Sequence, residues 1–339
     1  MANPAFTTKK LMQIVKTLRR PSTLFLDTFF KAKEEFTSKI VEIDIYKEKR
    51  QLAQFVHSES ESHVHKRTEF ERKPFTPPYI KEKLPTTASD FFEAMIGEHV
   101  YSETTPAQRA VSQMAEDMYE LMNLATRRKE WFASKLLNGG AVQIVGKGLN
   151  YLLDFDMPAG NQFVLGAGDR WDDAGVNILK DFRLFRRTIG QESGKIPNVA
   201  FFGSDVVDVF LDDEKVQKLL DNRRMELGYI APTDLPDGAR YIGTIEGCKI
   251  YAYDEQYLEN GVLNNYMPAN MIFFGHTNAK TKRAYGAIKD KRALYATDYF
   301  FKTWEEEDPS VDWLQMQSSP LLALSESCAF GTAEVLEAA

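Results

Sequence analysis

The hydrophobic pattern of this chain is clearest in one long segment in its first half. Large apolar residues there recur at intervals of three, four or seven positions, which is typical of one buried helix face: Val111, Met114, Met118, Leu121, Ala125, Phe132 and Leu136. Thr105 and Gln108 form the sequence pattern of a capping box, with Pro106 at the first helical position. Gly139 and Gly140 favour a helix end. The pattern therefore predicts a helix over residues 105–138.

This helix is too long for the interior of one compact domain. At about 1.5 Å per residue it would span roughly 50 Å. We therefore expect a spine that crosses sub-domains.

Shorter patterns predict a mixture of strands and helices around the spine. Strands are expected near Ile43 and Ile45 within residues 36–56, at 141–145 and 151–155, near Phe201, and at 248–253 and 271–275. Helices are expected at 173–189 and 205–224. Pro232, Pro236 and Asp237-Gly238 indicate an exposed loop, and residues 262–265 fall in a turn-rich stretch. The predicted fold class is α+β, with interleaved sub-domains.

The segment from His57 to Pro74 is unusually polar. Its large apolar residues are Val64 and Phe70 only, so by itself it cannot bury enough surface to offset the entropy of ordering. Its acidic and histidine residues nevertheless alternate with serine and valine, which favours an extended chain. We therefore interpret it as an arm that becomes ordered on a partner.

Composition and charge narrow the class of protein. The 339 residues are 43% hydrophobic and 27% charged, as in ordinary globular proteins. The formal net charge of -7 argues against a main surface that binds nucleic acid. No run of about 18 apolar residues occurs, so no membrane-spanning helix is predicted. The two cysteines, Cys248 and Cys328, have apolar or small neighbours and are interpreted as structural.

The first 26 residues contain five basic residues and no acid. With Leu11, Ile14 or Val15, and Leu18 at helical spacing, they could imitate a mitochondrial presequence. A short amphipathic helix in an N-terminal arm is the more economical interpretation, because apolar helix faces are far commoner than transit peptides.

Common catalytic motifs are absent from the sequence. Gly146-Lys147 is followed by Gly148 instead of Ser or Thr, and Ala141 stands where a phosphate-binding loop requires glycine. The sequence also lacks G-x-S-x-G, H-E-x-x-H and paired C-x-x-C motifs. No catalytic residue and no cofactor are therefore predicted.

A few groups of residues could form a metal, catalytic or nucleic-acid-binding site, but their signals are weak. The possible metal ligands are His57, Glu59, Glu61, His63 and His65, but no nearby core would hold them in place. Asp154 with Asp156, and the acidic run from Glu305 to Asp308, are better interpreted as solvated surface or salt bridges. The phenylalanine pairs at 91–92, 201–202, 273–274 and 300–301 have apolar neighbours, which favours core or interface over base stacking.

The C-terminal third contains a set of specific motifs: Gln256-Tyr257-Leu258-Glu259-Asn260-Gly261-Val262, Asn265-Tyr266-Met267-Pro268, Gly275-His276-Thr277, Tyr285-Gly286, Trp304, Asp308-Pro309 and Gln317-Ser318-Ser319-Pro320-Leu321. With these motifs it closely resembles the lambda-type major capsid proteins of tailed phages, the phage major capsid protein E family. Looser similarity, at Phe29-Phe30, Thr76-Pro77, Tyr79, Lys81 and Lys83, extends the resemblance over almost the whole chain.

The resemblance implies the major capsid fold of tailed phages and herpesviruses. On that map, residues 1–40 are an N-terminal arm and residues 50–85 an extended loop. Residues 86–170 and 286–339 are a peripheral domain that contains the spine helix, and residues 171–285 are an axial domain. We expect axial contacts from the loop Gly228 to Pro236 together with Glu259 to Pro268.

The resemblance also implies a structural role without catalysis. Copies of the chain would assemble in the host cytoplasm into pentamers and hexamers of an icosahedral head, with scaffold, portal and decoration proteins as further partners. Packaged DNA would lie inside without sequence-specific binding, and no membrane is involved. Some related shells crosslink a lysine to an asparagine, for which Lys66 or Lys73 would be donors here. Two alternatives remain open: a cargo-holding nanocompartment of the same fold, and a metal-dependent hydrolase that uses His63 and His65.

Overall fold

The structure is a computed structural model. It describes residues 23–38, 40–46, 70–87, 105–221, 228–235, 238–291, 293, 296–308 and 311–337, together with 52, 53, 55, 57, 58 and 61. The predicted amphipathic helix around Leu11 and Leu18 lies outside these residues.

The first elements are a short helix and strand, together called the arm here (α1 and β1), and a β-ribbon (β2 and β3). They are α1 (Leu24–Phe29), β1 (Lys33–Glu35), β2 (Val41–Tyr46), β3 (Phe70–Phe75) and β4 (Ile80–Thr87). β2 pairs antiparallel with β3, from Val41 opposite Phe75 to Tyr46 opposite Phe70. Ile43 is buried, as the predicted alternation requires. Because β3 includes residues 70–74, the end of the predicted polar arm is a strand that pairs within its own chain, which corrects that prediction.

The spine helix is α2 (Pro106–Leu137). The predicted capping box is present, since the Thr105 side chain accepts the Gln108 N–H and the Gln108 side chain accepts the Thr105 N–H. The predicted stripe is buried except for Val111, which is 49% exposed because it lies before the helix meets its first packing partners. None of the described helices, α2 included, is long and apolar enough to span a membrane.

The spine crosses two hydrophobic cores. Met114, Met118 and Leu121 pack with Phe301, Leu314 and Met316, whereas Phe132 and Leu136 belong to the larger core around α1. The prediction that the helix is too long for one core is confirmed.

The remaining elements follow the spine in this order: β5 (Ala141–Gly146), β6 (Leu149–Asp154), β7 (Gln162–Val164), α3 (Ile178–Ser193), β8 (Val199–Phe202), α4 (Ser204–Asp212), α5 (Glu214–Asp221), β9 (Gly228–Asp234), β10 (Ala239–Ile245), β11 (Cys248–Tyr253), β12 (Gln256–Glu259), β13 (Val262–Asn265), β14 (Met271–Gly275), β15 (Thr281–Tyr285), β16 (Phe300–Glu306), β17 (Val311–Ser318), β18 (Pro320–Leu324) and β19 (Gly331–Glu334).

A seven-stranded sheet, in the order β7-β19-β14-β8-β11-β10-β9, separates two cores. Neighbouring residues of a strand face opposite sides, which explains the phenylalanine pairs. Phe201 and Phe273 lie in the core that contains α1. Phe202 and Phe274 lie in the core that contains α3 and α4. The expectation of a core role for these two pairs is confirmed.

Five smaller sheets complete the described fold. β16-β17-β4 covers the first half of the spine, and β1-β15-β18 joins the arm to the C-terminal part of the chain. β2-β3, β5-β6 and β12-β13 are two-stranded.

Three local predictions are corrected. Residues 228–234, expected to be a loop, form the edge strand β9, because they pair with β10 despite Pro232. Residues 262–265, assigned to turns, form β13. The helix expected over 205–224 is two helices, because the Asp213 carboxylate accepts the N–H groups of Lys215 and Val216 and so caps a new helix.

Candidate assembly surfaces

The spine helix binds the N-terminal arm through one buried carboxylate. Glu130 is 2% exposed, and its oxygens accept the N–H of Phe25 at 2.7 Å and the N–H of Leu26 at 3.2 Å. These are among the first N–H groups of α1, which Thr23 does not cap. Glu130 therefore caps a helix that lies about a hundred residues away in sequence.

The seven-stranded sheet contacts the same carboxylate. The Tyr253 hydroxyl, at the end of β11, donates to Glu255 at 2.7 Å and lies 3.3 Å from Glu130 Oε1. Burial raises the pKa of Glu130 to about 7, against the opposite effect of the two backbone N–H groups. Arm, spine and sheet thus meet at a carboxyl group that titrates near neutral pH.

A second buried charge network lies beside Glu130. Lys129 is fully buried and pairs with Asp298, which also binds Lys33 of β1 at 2.9 Å. The Lys129 ammonium lies 3.8 Å from the centre of the Tyr299 ring. Burial alone would raise the pKa of Asp298, but Lys129 and Lys33 hold it below its usual range. Two successive spine residues therefore hold the arm: Lys129 through Asp298 and Lys33, and Glu130 through the N–H groups of α1.

The β2-β3 ribbon is held by ion pairs. Arg72 of β3 donates to Asp44 of β2 at 2.8 Å. Lys73 binds Asp156, and this hydrogen bond raises the pKa of Lys73. Lys73 is therefore paired within its own subunit, and the crosslink from Lys73 to a neighbouring subunit stays a prediction. Lys66 lies outside the described residues.

The hairpin β12-β13 presents apolar side chains to solvent. Asn260 and Gly261 form its turn, both with positive φ, of 52° and 81°. Leu258 and Leu263 are cross-strand partners and are 68% and 64% exposed. On the other face, Tyr257 packs on Tyr266 and Glu259 pairs with Arg128 of the spine at 3.2 Å.

A groove with a volume of about 530 Å³ lies between the spine, the start of β4 and the β5-β6 hairpin. Leu124, Val145 and Leu149 line it and are exposed. Arg128 lines the groove and also pairs with Glu259, so the groove adjoins hairpin β12-β13.

The predicted metal ligands do not form a site among the described residues. His57 and Glu61 are exposed, and Glu59, His63 and His65 lie outside the described residues. Within the described part of the chain, no group of three or more His, Cys, Asp or Glu residues could hold a metal ion.

The carboxylate pairs and the phosphate-loop candidate from the sequence lie on hydrogen-bonded or exposed surface. Asp154 accepts the N–H of Asp156, and Asp156 pairs with Lys73. The run from Glu305 to Asp308 is exposed. Lys147 lies in the turn of the β5-β6 hairpin.

The two cysteines and the phenylalanine pair at 300–301 also have structural rather than chemical roles. Burial raises the pKa of Cys248 to about 12 and that of Cys328 to about 11, so both thiols stay protonated at neutral pH. Phe300 and Phe301 are buried, and the pair at 91–92 lies outside the described residues.

Sequence reasoning missed the buried charges Lys129, Glu130 and Asp298. In a helix that also exposes many charges, such residues look like part of the solvated face, so no local signal identifies them. The exposed hairpin did have a signal, since Asn260-Gly261 is a strong turn dipeptide between apolar residues.

The comparison with known families identifies this fold. A family model described as phage major capsid protein E matches residues 7–333. The chain belongs to this family. It is 23% identical over 332 residues to the major capsid protein of Escherichia phage lambda, covering 95% of this chain and 96% of that protein. It is 24% identical over 336 residues to the major capsid protein of Enterobacteria phage phi80, covering 96% and 97%.

Solved structures of phage capsid proteins share the fold of this chain. A prophage capsid protein of Escherichia coli CFT073 superposes with a TM-score of 0.76 at 20% identity, covering 97% of this chain and 99% of that chain. The mature capsid of bacteriophage PhiM1 gives a TM-score of 0.52 at 10% identity, covering 94% and 88%.

The predicted resemblance and fold class are therefore confirmed. The chain is a structural protein of the tailed-phage head and a component of the virion. Its relatives are structural capsid proteins, and membership of the family implies self-assembly into a shell.

Proposed function

We propose that this chain forms pentamers and hexamers that close an icosahedral head around the phage genome. The observation that carries the proposal is the match to the phage major capsid protein E family over residues 7–333. The role is structural and requires neither catalysis nor a cofactor. Assembly would take place in the host cytoplasm.

The proposed domain map keeps residues 1–40 as the arm, 50–85 as the extended loop, 86–170 and 286–339 as the peripheral domain, and 171–285 as the axial domain. The described fold supports an interleaved arrangement. Five strands of the seven-stranded sheet lie within 171–285, whereas β7 and β19 come from the peripheral segments and extend the sheet at one edge. The two domains would therefore share one sheet.

The proposed partners are other copies of the chain, with scaffold, portal and decoration proteins as further candidates. The net charge of -7 supports a container whose wall does not hold packaged DNA tightly. DNA would then lie inside without sequence-specific contacts.

The test is to express the full chain and examine it by sedimentation and negative-stain electron microscopy. We expect closed shells, tubes or five- and six-fold rings. A chain that stays monomeric over a wide range of concentration and salt would contradict the proposal. Shells that enclose a co-purified enzyme would instead favour a nanocompartment.

A further inference from the structure

A basic pocket lies on the face of the β16-β17-β4 sheet that points away from the spine. Phe301 of β16 packs toward the spine, so its neighbour Lys302 points to the opposite face. The pocket has a volume of about 390 Å³. Lys302 lines it together with Lys289, Lys291 and Trp304, and Asp290 is the one acid in the lining.

The positive charge of this pocket is only partly neutralised within the subunit. Asp290 pairs with Lys302 at 2.5 Å and also accepts a hydrogen bond from the Gln317 side chain at 3.3 Å. Lys289 and Lys291 are exposed, and neither forms an ion pair with another described residue. The pocket therefore keeps an excess of positive charge on a chain whose formal net charge is -7.

The far end of the same strand carries acids. Glu306 is the last residue of β16, and Glu307 and Asp308 follow it in the turn toward β17. All three are exposed, and none of them forms an ion pair with another described residue. Glu306 accepts the indole N–H of Trp313 at 2.8 Å, which leaves its negative charge in place. Residues 306–308 are called the acidic turn here.

Pocket and acidic turn are too far apart to neutralise each other within one subunit. Asp308 lies six positions after Lys302, which corresponds to roughly 20 Å along an extended chain. The Debye length at physiological salt is about 8 Å, so charges at this separation are largely screened from each other. One strand therefore offers opposite charges to other molecules at two separate places.

We propose that the acidic turn of one copy of this chain docks in the basic pocket of a second copy. The inference rests on the proposed function, because shell assembly is what places further copies around each subunit. The two surfaces that meet are different, so the contact is heterologous and can repeat from copy to copy around a ring.

Charge complementarity selects this occupant. Three adjacent carboxylates supply the negative charge that the pocket lacks, and every copy carries one turn and one pocket. Contacts of pocket with pocket or turn with turn would bring like charges together, so the charges also fix the direction of the contact. Trp304, which stacks on Trp313 at 6.2 Å between ring centres, gives the pocket a wall that excludes water and so strengthens a charge pair.

Reversing the charge on each side tests the contact. Glu307→Lys/Asp308→Lys reverses the turn, and Lys289→Glu/Lys291→Glu reverses the pocket. Each reversed chain should keep the thermal transition of the unmodified chain and lose on the order of tenfold or more in shell yield, measured by sedimentation and electron microscopy. The chain with all four substitutions again has opposite charges on turn and pocket, so it should recover most of the yield.

The matched control is Asp169→Lys/Asp172→Lys, in a surface loop where both acids are exposed. It changes the net charge by the same amount as reversal of the acidic turn, and it should assemble normally. An equal loss of shells from this control would show that net charge limits assembly, which would overturn the inference.

The remaining outcomes are also decisive. No recovery of shells in the fourfold variant, or normal shells from both reversed chains, would overturn the inference and leave the proposed function intact. Loss from the pocket reversal alone would show that the pocket binds another anion, such as DNA phosphate, and would overturn the pairing of two copies. Failure of the unmodified chain to assemble at all would count against the proposed function itself.

Neutral substitutions keep the test valid if a reversed chain has a lower thermal transition. Glu307→Gln/Asp308→Asn removes the charge of the turn without adding repulsion, so its shell yield should fall between that of the unmodified chain and that of the reversed chain. A neutral variant that folds and assembles with full yield would overturn the inference.

Discussion

At the scale of single residues, the spine carries two adjacent charges, Lys129 and Glu130, that are buried in the subunit. Each finds its partners on distant segments: Asp298 for the lysine, and the N–H groups of Phe25 and Leu26 for the glutamate. Buried charges cost free energy unless they are paired or hydrogen-bonded. These two therefore tie the arm to the spine in one defined position.

Removing the Glu130 carboxylate should loosen the arm. Glu130→Ala leaves two buried N–H groups of α1 without an acceptor, and we expect it to lower the free energy of unfolding by about 2–4 kcal/mol. Glu130→Gln keeps one carbonyl oxygen as acceptor and should cost less. Urea denaturation of the three proteins measures the difference, and equal stability of all three would show that the contact contributes nothing.

The same residue predicts a pH dependence. The pKa of Glu130 is about 7 in the folded chain and lies near 4.5 when unperturbed, so the folded state binds the proton more tightly. The stabilisation that protonated Glu130 gives the folded chain is complete below the pKa of this residue in the unfolded chain. It is lost as the pH rises through the pKa in the folded chain. Between about pH 5 and about pH 8, the native chain should lose on the order of 2 kcal/mol relative to Glu130→Gln. Parallel pH profiles of the two proteins would contradict this prediction.

At the scale of elements, the spine joins two cores with one continuous helix. Its first half packs under the β16-β17-β4 sheet and its second half against α1 and the larger core. The buried stripe of the spine therefore contributes to both cores.

Substitutions on the buried and on the exposed face of the spine helix should have opposite outcomes. Met118 is fully buried, so Met118→Asp places an unpaired charge among Phe301, Leu314 and Met316. This should cost more than about 3 kcal/mol and prevent accumulation of folded chain. Glu120 is exposed, and Glu120→Lys should change stability by less than about 0.5 kcal/mol. Soluble yield and far-UV circular dichroism distinguish the two, and similar damage from both would refute the assignment of the buried face.

At the scale of the whole molecule, the β2-β3 ribbon brings the two ends of residues 47–69 together. Tyr46 and Phe70 are cross-strand partners, so this segment leaves and rejoins the ribbon at one place. The ribbon below it is held by buried Ile43 and by the Arg72 and Asp44 pair.

Deleting residues 57–69 should therefore spare the fold and impair assembly. The shortened loop still closes β2 on β3, and loop closure changes by only about 0.6 kcal/mol per doubling of length. We expect a normal thermal transition and no closed shells by electron microscopy. Replacing the same residues by a Gly-Ser linker of equal length separates the effect of sequence from that of length. Intact shells from both variants would exclude a role of this segment in contacts between subunits.

The sequence alone determined the elements whose signals are local. The bounds of the spine follow from Thr105, Gln108 and Gly139, because capping and helix termination depend on neighbours within a few residues. The β2 and β14 strands follow from short-range alternation and apolar runs. The phage capsid family was recognisable because the motif around Asn260-Gly261 is contiguous in the chain.

The tertiary structure decided what depends on partners far along the chain. Residues 228–234 look like a loop until β10 supplies the hydrogen bonds that make them an edge strand. Glu130 looks like a solvated helix residue until the N–H groups of α1, 105 and 104 residues away, approach it. Backbone groups and charges leave water only when a partner replaces it, and such partners are brought together by the fold rather than by sequence proximity.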